Sequence, residues 1–219
     1  MTQVAEAVGA ALTAAGIDRV FGVVGSGNFH VTNAMIAAGS TFVAARHEGG
    51  AATMADAYAR MSGTVSAVSV HQGCGLTNAM TGIAEAAKSR TPMVVLAAEV
   101  TQPRSNFYVD QAALARAVGA VPVRVTSAAT AVAEVKAAVS LARDQRRTVV
   151  LNLPLQVQAE PVPEVTADSA DSAAGESSPS PRAAAGAELD RLVEALRTAR
   201  RPVFVAGRGS RGPGCREAL

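Results

Sequence analysis

Tryptophan is missing from this 219-residue chain, and aromatic residues make up 3% of it. A core must then be assembled from Ala, Val, Leu and Met. The 49% hydrophobic content is enough for one domain of ordinary size with some chain to spare. Cysteine is nearly absent too. Cys74 and Cys215 lie far apart and outside any C-x-x-C pattern, so neither a disulfide framework nor a zinc site is implied, and a reducing compartment fits. Charge of one sign is not in excess. Twenty basic against 18 acidic residues leave a formal charge of +2, which gives no case for nucleic acid or for an anionic membrane. No run approaches the roughly 18 uninterrupted apolar residues of a membrane span. The opening Met-Thr-Gln-Val-Ala-Glu has no basic segment ahead of an apolar run, so it does not read as a signal peptide. The expectation is a soluble, cytoplasmic protein.

Nucleotide fingerprints are also lacking. Gly25, Ser26, Gly27 and Asn28 form a glycine turn, but His30 stands where a G-x-G-x-x-G motif needs its third glycine, and no Gly-Lys-Ser/Thr follows. Gly207, Arg208 and Gly209 are likewise insufficient and read as a plain βα turn.

What is present alternates between short apolar runs and helical periodicity. Thr2 reads as the N-cap of a first helix with Val4, Val8, Ala11 and Leu12 on one face, ended by Gly16. Strands are expected at 19–24, 41–45, 65–70, 89–97, 121–125 and 148–153, with Pro92 tolerated at the start of its strand. Helices are expected at 30–38, after Glu48, from about Asn78 to Ala87, at 130–143 and at 188–199. Residues 202–206 read as one more strand. Strands alternating with helices predict an α/β fold, a doubly wound and mostly parallel sheet with helices on both faces.

The central stretch is residues 46–60, R-H-E-G-G-A-A-T-M-A-D-A-Y-A-R. It places Glu48 between a strand end and a helix start, where ligands sit in open α/β sheets. Gly49 and Gly50 remove side-chain bulk beside it. A carboxylate there also complements a helix N-terminus, worth a few tenths to about 1 kcal/mol. A second stretch, His71, Gln72, Gly73, Cys74, Gly75, Leu76, Thr77 and Asn78, likewise follows a strand and opens a helix.

These motifs resemble the pyrimidine-binding domain of thiamine-diphosphate enzymes, in the acetolactate synthase, benzoylformate decarboxylase and benzaldehyde lyase group. The resemblance covers Thr2 to Pro154, with a weaker extension from Glu188 to Arg208. It implies that Glu48 hydrogen-bonds a ring nitrogen of the cofactor's aminopyrimidine and activates it. Phe21 to Ser26 resembles the turn F-G-x-P-G-(S/G), with Val24 in place of proline, so Val24 and Gly25 are implied to pack on the cofactor. Residues 72–78 resemble S-G-P-G-x-x-N, with Gly73, Gly75 and Asn78 matching and Cys74 replacing proline. His71 matches a histidine that acts in proton transfer in benzoylformate decarboxylase, and Ser26 matches a substrate-contacting serine there. The bare alternative is that His71 is a hydrogen-bonded structural residue. Phe107 stands where family members often carry a glutamine that reaches a partner subunit's cofactor, which weakens a case for acetolactate synthesis. Asp110 and Gln111 resemble the start of the family's D-Q-x-A-L helix.

The domain expectation is a pyrimidine-binding domain at 1–154, a Pro/Ser/Ala-rich linker at 155–186 that includes Ser177 to Pro181, and the start of a central α/β domain at 187–219. The resemblance implies the N-terminal portion of a 2-oxo acid decarboxylase or carboligase. Its small-molecule substrate is a 2-oxo acid, and its cofactors are thiamine diphosphate and Mg2+. The Mg2+ would be held by a diphosphate domain whose Gly-Asp-Gly motif is not in these residues, so no metal ligand is assigned here. The family arrangement implies a homodimer or homotetramer. The alternatives are one chain of a two-chain enzyme, with a separate diphosphate-domain chain, or a non-catalytic assembly module of the same fold.

Overall fold

Six short strands line up in parallel because the segments between them are long enough to cross back as helices. The computed structural model describes residues 2–162 and 186–207. The chain divides into two compact units, Met1–Ala174 and Gly175–Leu219.

In the first unit the strands are β1 (Arg19–Gly22), β2 (Thr41–Ala44), β3 (Ser66–Val70), β4 (Met93–Glu99), β5 (Val121–Arg124) and β6 (Thr148–Pro154), and the sheet order is β2-β1-β3-β4-β6-β5. Every pairing is parallel. β3, β4 and β6 are buried along their whole length, which explains their near-continuous apolar sequences. The helices are α1 (Val4–Ala14), α2 (Phe29–Ala37), α3 (Glu48–Ser62), α4 (Cys74–Lys88), α5 (Gln111–Ala117), α6 (Ala131–Asp144) and α7 (Leu155–Gln158). Side chains of β4 show how the layers form. Val94 and Leu96 join one core with α1, α2 and α6, while Met93, Val95 and Ala97 join another with α3, α4 and α5. The fold is a doubly wound α/β sheet covered on both faces.

α3 and α4 cross closely because Gly82 faces Ala52. A Cβ on Gly82 would stand 2.6 Å from the Ala52 Cβ and 3.0 Å from the Thr53 backbone nitrogen. This seam sets the spacing of the two helix starts that carry Glu48 and Asn78.

Several boundaries differ from expectation, each for a local reason. The N-cap of α1 is Gln3, not Thr2, and Glu6 Oε2 accepts the Gln3 backbone N–H at 2.9 Å in a capping box. The Thr2 carbonyl is already taken by the Val162 N–H at 2.9 Å, and Gln3 bridges Pro161, so the backbone stays extended through Gln3. β1 stops at Gly22, where its pairings with β2 and β3 both stop, and Val24 emerges 58% exposed. Residues 155–162, assigned by composition to the linker, pack on the first unit. Val157 is buried, and Gln158 Nε2 donates to the Leu153 carbonyl at 2.8 Å.

The second unit carries α8 (Gly186–Thr198), with Leu189, Leu192, Val193 and Leu196 on its apolar stripe, all exposed. Residues 202–207 are irregular rather than a strand. A strand needs a neighbouring strand to pair with, and among the described residues of this unit there is no second strand. Ser177 to Pro181, Gly209 and Cys215 lie outside the described residues.

Candidate active site

β1 is flanked by β2 on one side and β3 on the other, so the chain reverses its direction of winding between β1 and β3. The loops leaving the carboxyl ends of these strands diverge there and leave a crevice, the general ligand position of such sheets. Residues 23–28, 45–47 and 71–73 are those loops.

Glu48 is the first residue of α3. His47 is its N-cap, extended at φ −155°, and its Nδ1 accepts the Gly49 N–H at 3.0 Å. That cap turns the chain so that the Glu48 carboxyl reaches α4, where Oε2 accepts from Asn78 Nδ2 at 3.0 Å. Glu48 is half-buried and Asn78 exposed.

The glycines between them allow close packing. A Cβ on Gly75 would lie 3.1 Å from the His71 Cβ and 3.5 Å from Glu48 Oε1. Gly73 has φ +64°, and a Cβ there would meet the Phe107 carbonyl oxygen at 2.5 Å, so only glycine fits. On the opposite side a Cβ on Gly25 would meet the His71 ring, with Nδ1 at 2.8 Å.

His71 therefore sits between the Gly25 turn and the α4 start, half-buried. Its Nδ1 accepts the Gly27 N–H at 3.3 Å, and the Phe107 ring meets it edge-on with centroids 5.6 Å apart. Burial holds its pKa below the usual value near 6.5, while the Glu48 charge acts in the opposite direction.

The structure thus brings Glu48, Asn78, Gly25, Gly73, Gly75 and His71 into one cluster. Val24 stands at its rim, and Cys74 is exposed at the first position of α4. Ser26 lies in the adjoining turn. It lines a cavity of about 290 Å³ with Gln3, Gly27, His30, Leu155, Gln158 and Ala159, a set that includes neither Glu48 nor His71.

Three residues gain importance beyond their sequence signals. Phe107 walls His71. The Gly27 amide binds its ring. Gln158 Nε2 holds the Gly27 carbonyl at 3.3 Å. The G-S-G spelling hinted at Gly27, whereas Gln158 had no signal inside a stretch of linker composition.

The residues present fit an aminopyrimidine. A carboxyl oriented by an amide stands beside a floor kept free of Cβ atoms at Gly75. Among the described residues no group of three or more His, Cys, Asp or Glu side chains could hold a metal ion, and no helix is long and apolar enough to cross a membrane.

Comparison with known proteins agrees with this fold. Residues 2–119 match the family described as thiamine pyrophosphate enzyme, N-terminal TPP binding domain. A 2-hydroxyacyl-CoA lyase of Oryza sativa subsp. japonica is 28% identical over 217 residues, covering 92% of this chain and 37% of that protein. The acetolactate synthase large subunit of Buchnera aphidicola subsp. Schizaphis graminum is 40% identical over 97 residues, 44% of this chain and 17% of that one. The solved thiamine diphosphate-dependent 4-hydroxybenzoylformate decarboxylase of Rhodococcus jostii RHA1 superposes with a TM-score of 0.82 at 26% identity, covering 95% of this chain and 40% of that chain. The chain thus spans well under half the length of these relatives. With the family match covering more than half of its residues, the chain belongs to the thiamine pyrophosphate enzymes, as an N-terminal TPP binding domain with further residues after it.

Proposed function

We propose that this chain is the pyrimidine-side portion of a thiamine-diphosphate-dependent 2-oxo acid decarboxylase or carboligase. The observation that carries the reading is the Glu48 carboxyl, held by Asn78 Nδ2 at the β1–β3 crevice beside Gly75 and His71. Bound thiamine diphosphate supplies the carbanion chemistry that cleaving a 2-oxo acid requires.

The protein's own part is orientation and proton control. Glu48 binds a ring nitrogen of the aminopyrimidine and holds a proton there. Gly73 lets the Phe107 backbone close on the α4 start, and Gly75 lets His71 and Glu48 approach it, so that their backbone would face the ring. Asn78 fixes the carboxyl, and the Val24–Gly25 backbone closes the other side. His71, on the β3 end, faces the substrate side, while Ser26, which lines the neighbouring cavity with Gln158, takes no part in this reading. The reading takes residues 1–154 as the pyrimidine domain with 155–162 as its closing tail. The linker runs from there to 186, and a central domain starts at 187. A cytoplasmic homodimer or homotetramer, with Mg2+ and the diphosphate held by another domain, completes it.

The division of labour is tested by titrating thiamine diphosphate with Mg2+ into the 219-residue chain in a calorimeter. The expected result is no saturable binding, because the diphosphate and metal contacts are supplied elsewhere. Saturable binding would contradict that division.

A further inference from the structure

We infer that the Gly25–Asn28 turn holds His71 as its Nε2–H tautomer, so that His71 serves the crevice as a hydrogen-bond donor and not as a proton shuttle. The tautomer follows from the bond at Nδ1. A backbone N–H can only donate, so the nitrogen that accepts the Gly27 amide at 3.3 Å carries the lone pair, and the ring proton sits on Nε2.

The donor is not free to swing away. The Gly25 N–H donates to Asn28 Oδ1 at 2.9 Å, Asn28 Nδ2 donates to the Val23 carbonyl at 3.2 Å, and Asn28 is buried. Gln158 Nε2 grips the Gly27 carbonyl from behind at 3.3 Å. The ring is equally confined, by the Cβ-free Gly25 on one side and the Phe107 edge on the other.

A second proton would go on Nδ1 and set two N–H groups against each other. Burial opposes the same charge, and Glu48 is the charged group that favours it. A base toward the crevice needs a lone pair on Nε2, which this tautomer lacks. An acid needs the imidazolium, which the turn disfavours. What remains is a neutral N–H, with no partner for Nε2 among the described residues. It suits a carboxylate or carbonyl oxygen of a 2-oxo acid. This role rests on the proposed function, whereas the tautomer itself does not.

The test is a long-range 1H–15N correlation spectrum of the 15N-labelled chain at pH 7.5. The sequence has three histidines, so His30→Gln and His47→Gln assign the signals by elimination. His47, whose Nδ1 accepts the Gly49 N–H, is an internal reference for the same tautomer. The expected result is a protonated Nε2 and a bare Nδ1 on His71. A protonated Nδ1, an even mixture or an imidazolium would overturn the inference.

In the complete enzyme, His71→Ala should lose about 10²–10³ in kcat, as for a removed oxyanion donor, and His71→Gln, whose amide N–H reaches the same point, about tenfold. Equal losses in the two variants would overturn the donor role. The spectrum needs no cofactor, so its failure leaves the Glu48 reading intact, and a failure of Glu48 leaves the tautomer intact.

Discussion

Glu48→Gln in the complete enzyme is expected to lower kcat by about 10²–10⁴-fold, the usual worth of a positioned acid or base, while the protein folds as before. The amide is nearly the same shape as the carboxyl. Its oxygen can still accept from Asn78 Nδ2, so the geometry across α3 and α4 survives. What is lost is the ability to hold and release a proton at the pyrimidine ring. The change in stability is small by comparison. Glu48 is half-buried at a helix N-terminus, where removing the negative charge costs a few tenths to about 1 kcal/mol. Steady-state decarboxylation of 2-oxo acids and thermal denaturation, measured side by side, separate the two effects. Full activity in a folded Glu48→Gln protein would sink the assignment.

The largest stability effect is expected from Gly82→Leu. On an open helix this substitution would help by about 0.8–1 kcal/mol, because glycine is a poor helix former. Here the new Cβ would stand 2.6 Å from the Ala52 Cβ and 3.0 Å from a backbone nitrogen, with the rest of the side chain still to be placed. Overpacking of this kind costs roughly 1–3 kcal/mol and sometimes more. A backbone cannot step aside as a flexible side chain can, so the upper end applies and the clash wins. The expected net loss is about 2 kcal/mol, seen as a lower urea midpoint at unchanged slope. The Glu48–Asn78 bond joins the same two helices, so activity should fall along with stability. A midpoint equal to or above that of the parent would contradict the close α3–α4 crossing.

Much of this arrangement was legible in the residues. Buried parallel strands such as Val-Val-Leu at 149–151 announce themselves as apolar runs, and the alternation with helices leaves few topologies. Glu48 and Asn78 were legible as motif members. Their hydrogen bond was not, because it depends on how closely Gly82 lets two helices approach.

Local rules failed where a distant segment intervened. Thr2 lost the cap to Gln3 because Val162 returned to pair with its carbonyl. Residues 155–162 read as linker because composition does not register that Val157 and Gln158 find a buried place against the sheet. Residues 202–206 had the composition of a strand, but the described residues of their unit hold no second strand to pair with. Ser26 and His71 both carried family echoes, yet one lines a separate cavity and the other shares the crevice with Glu48. A single turn divides them, and no spacing rule shows which side a turn presents.

The central claim is that Glu48 meets the cofactor's pyrimidine, and a crystal structure of the complete protein with thiamine diphosphate and Mg2+ tests it most directly. The account predicts a Glu48 carboxyl oxygen about 2.6–3.2 Å from a pyrimidine ring nitrogen, with Gly75 beneath the ring and His71 on the substrate side. A pyrimidine bound away from the β1–β3 crevice, or a Glu48 turned from it, would contradict the account.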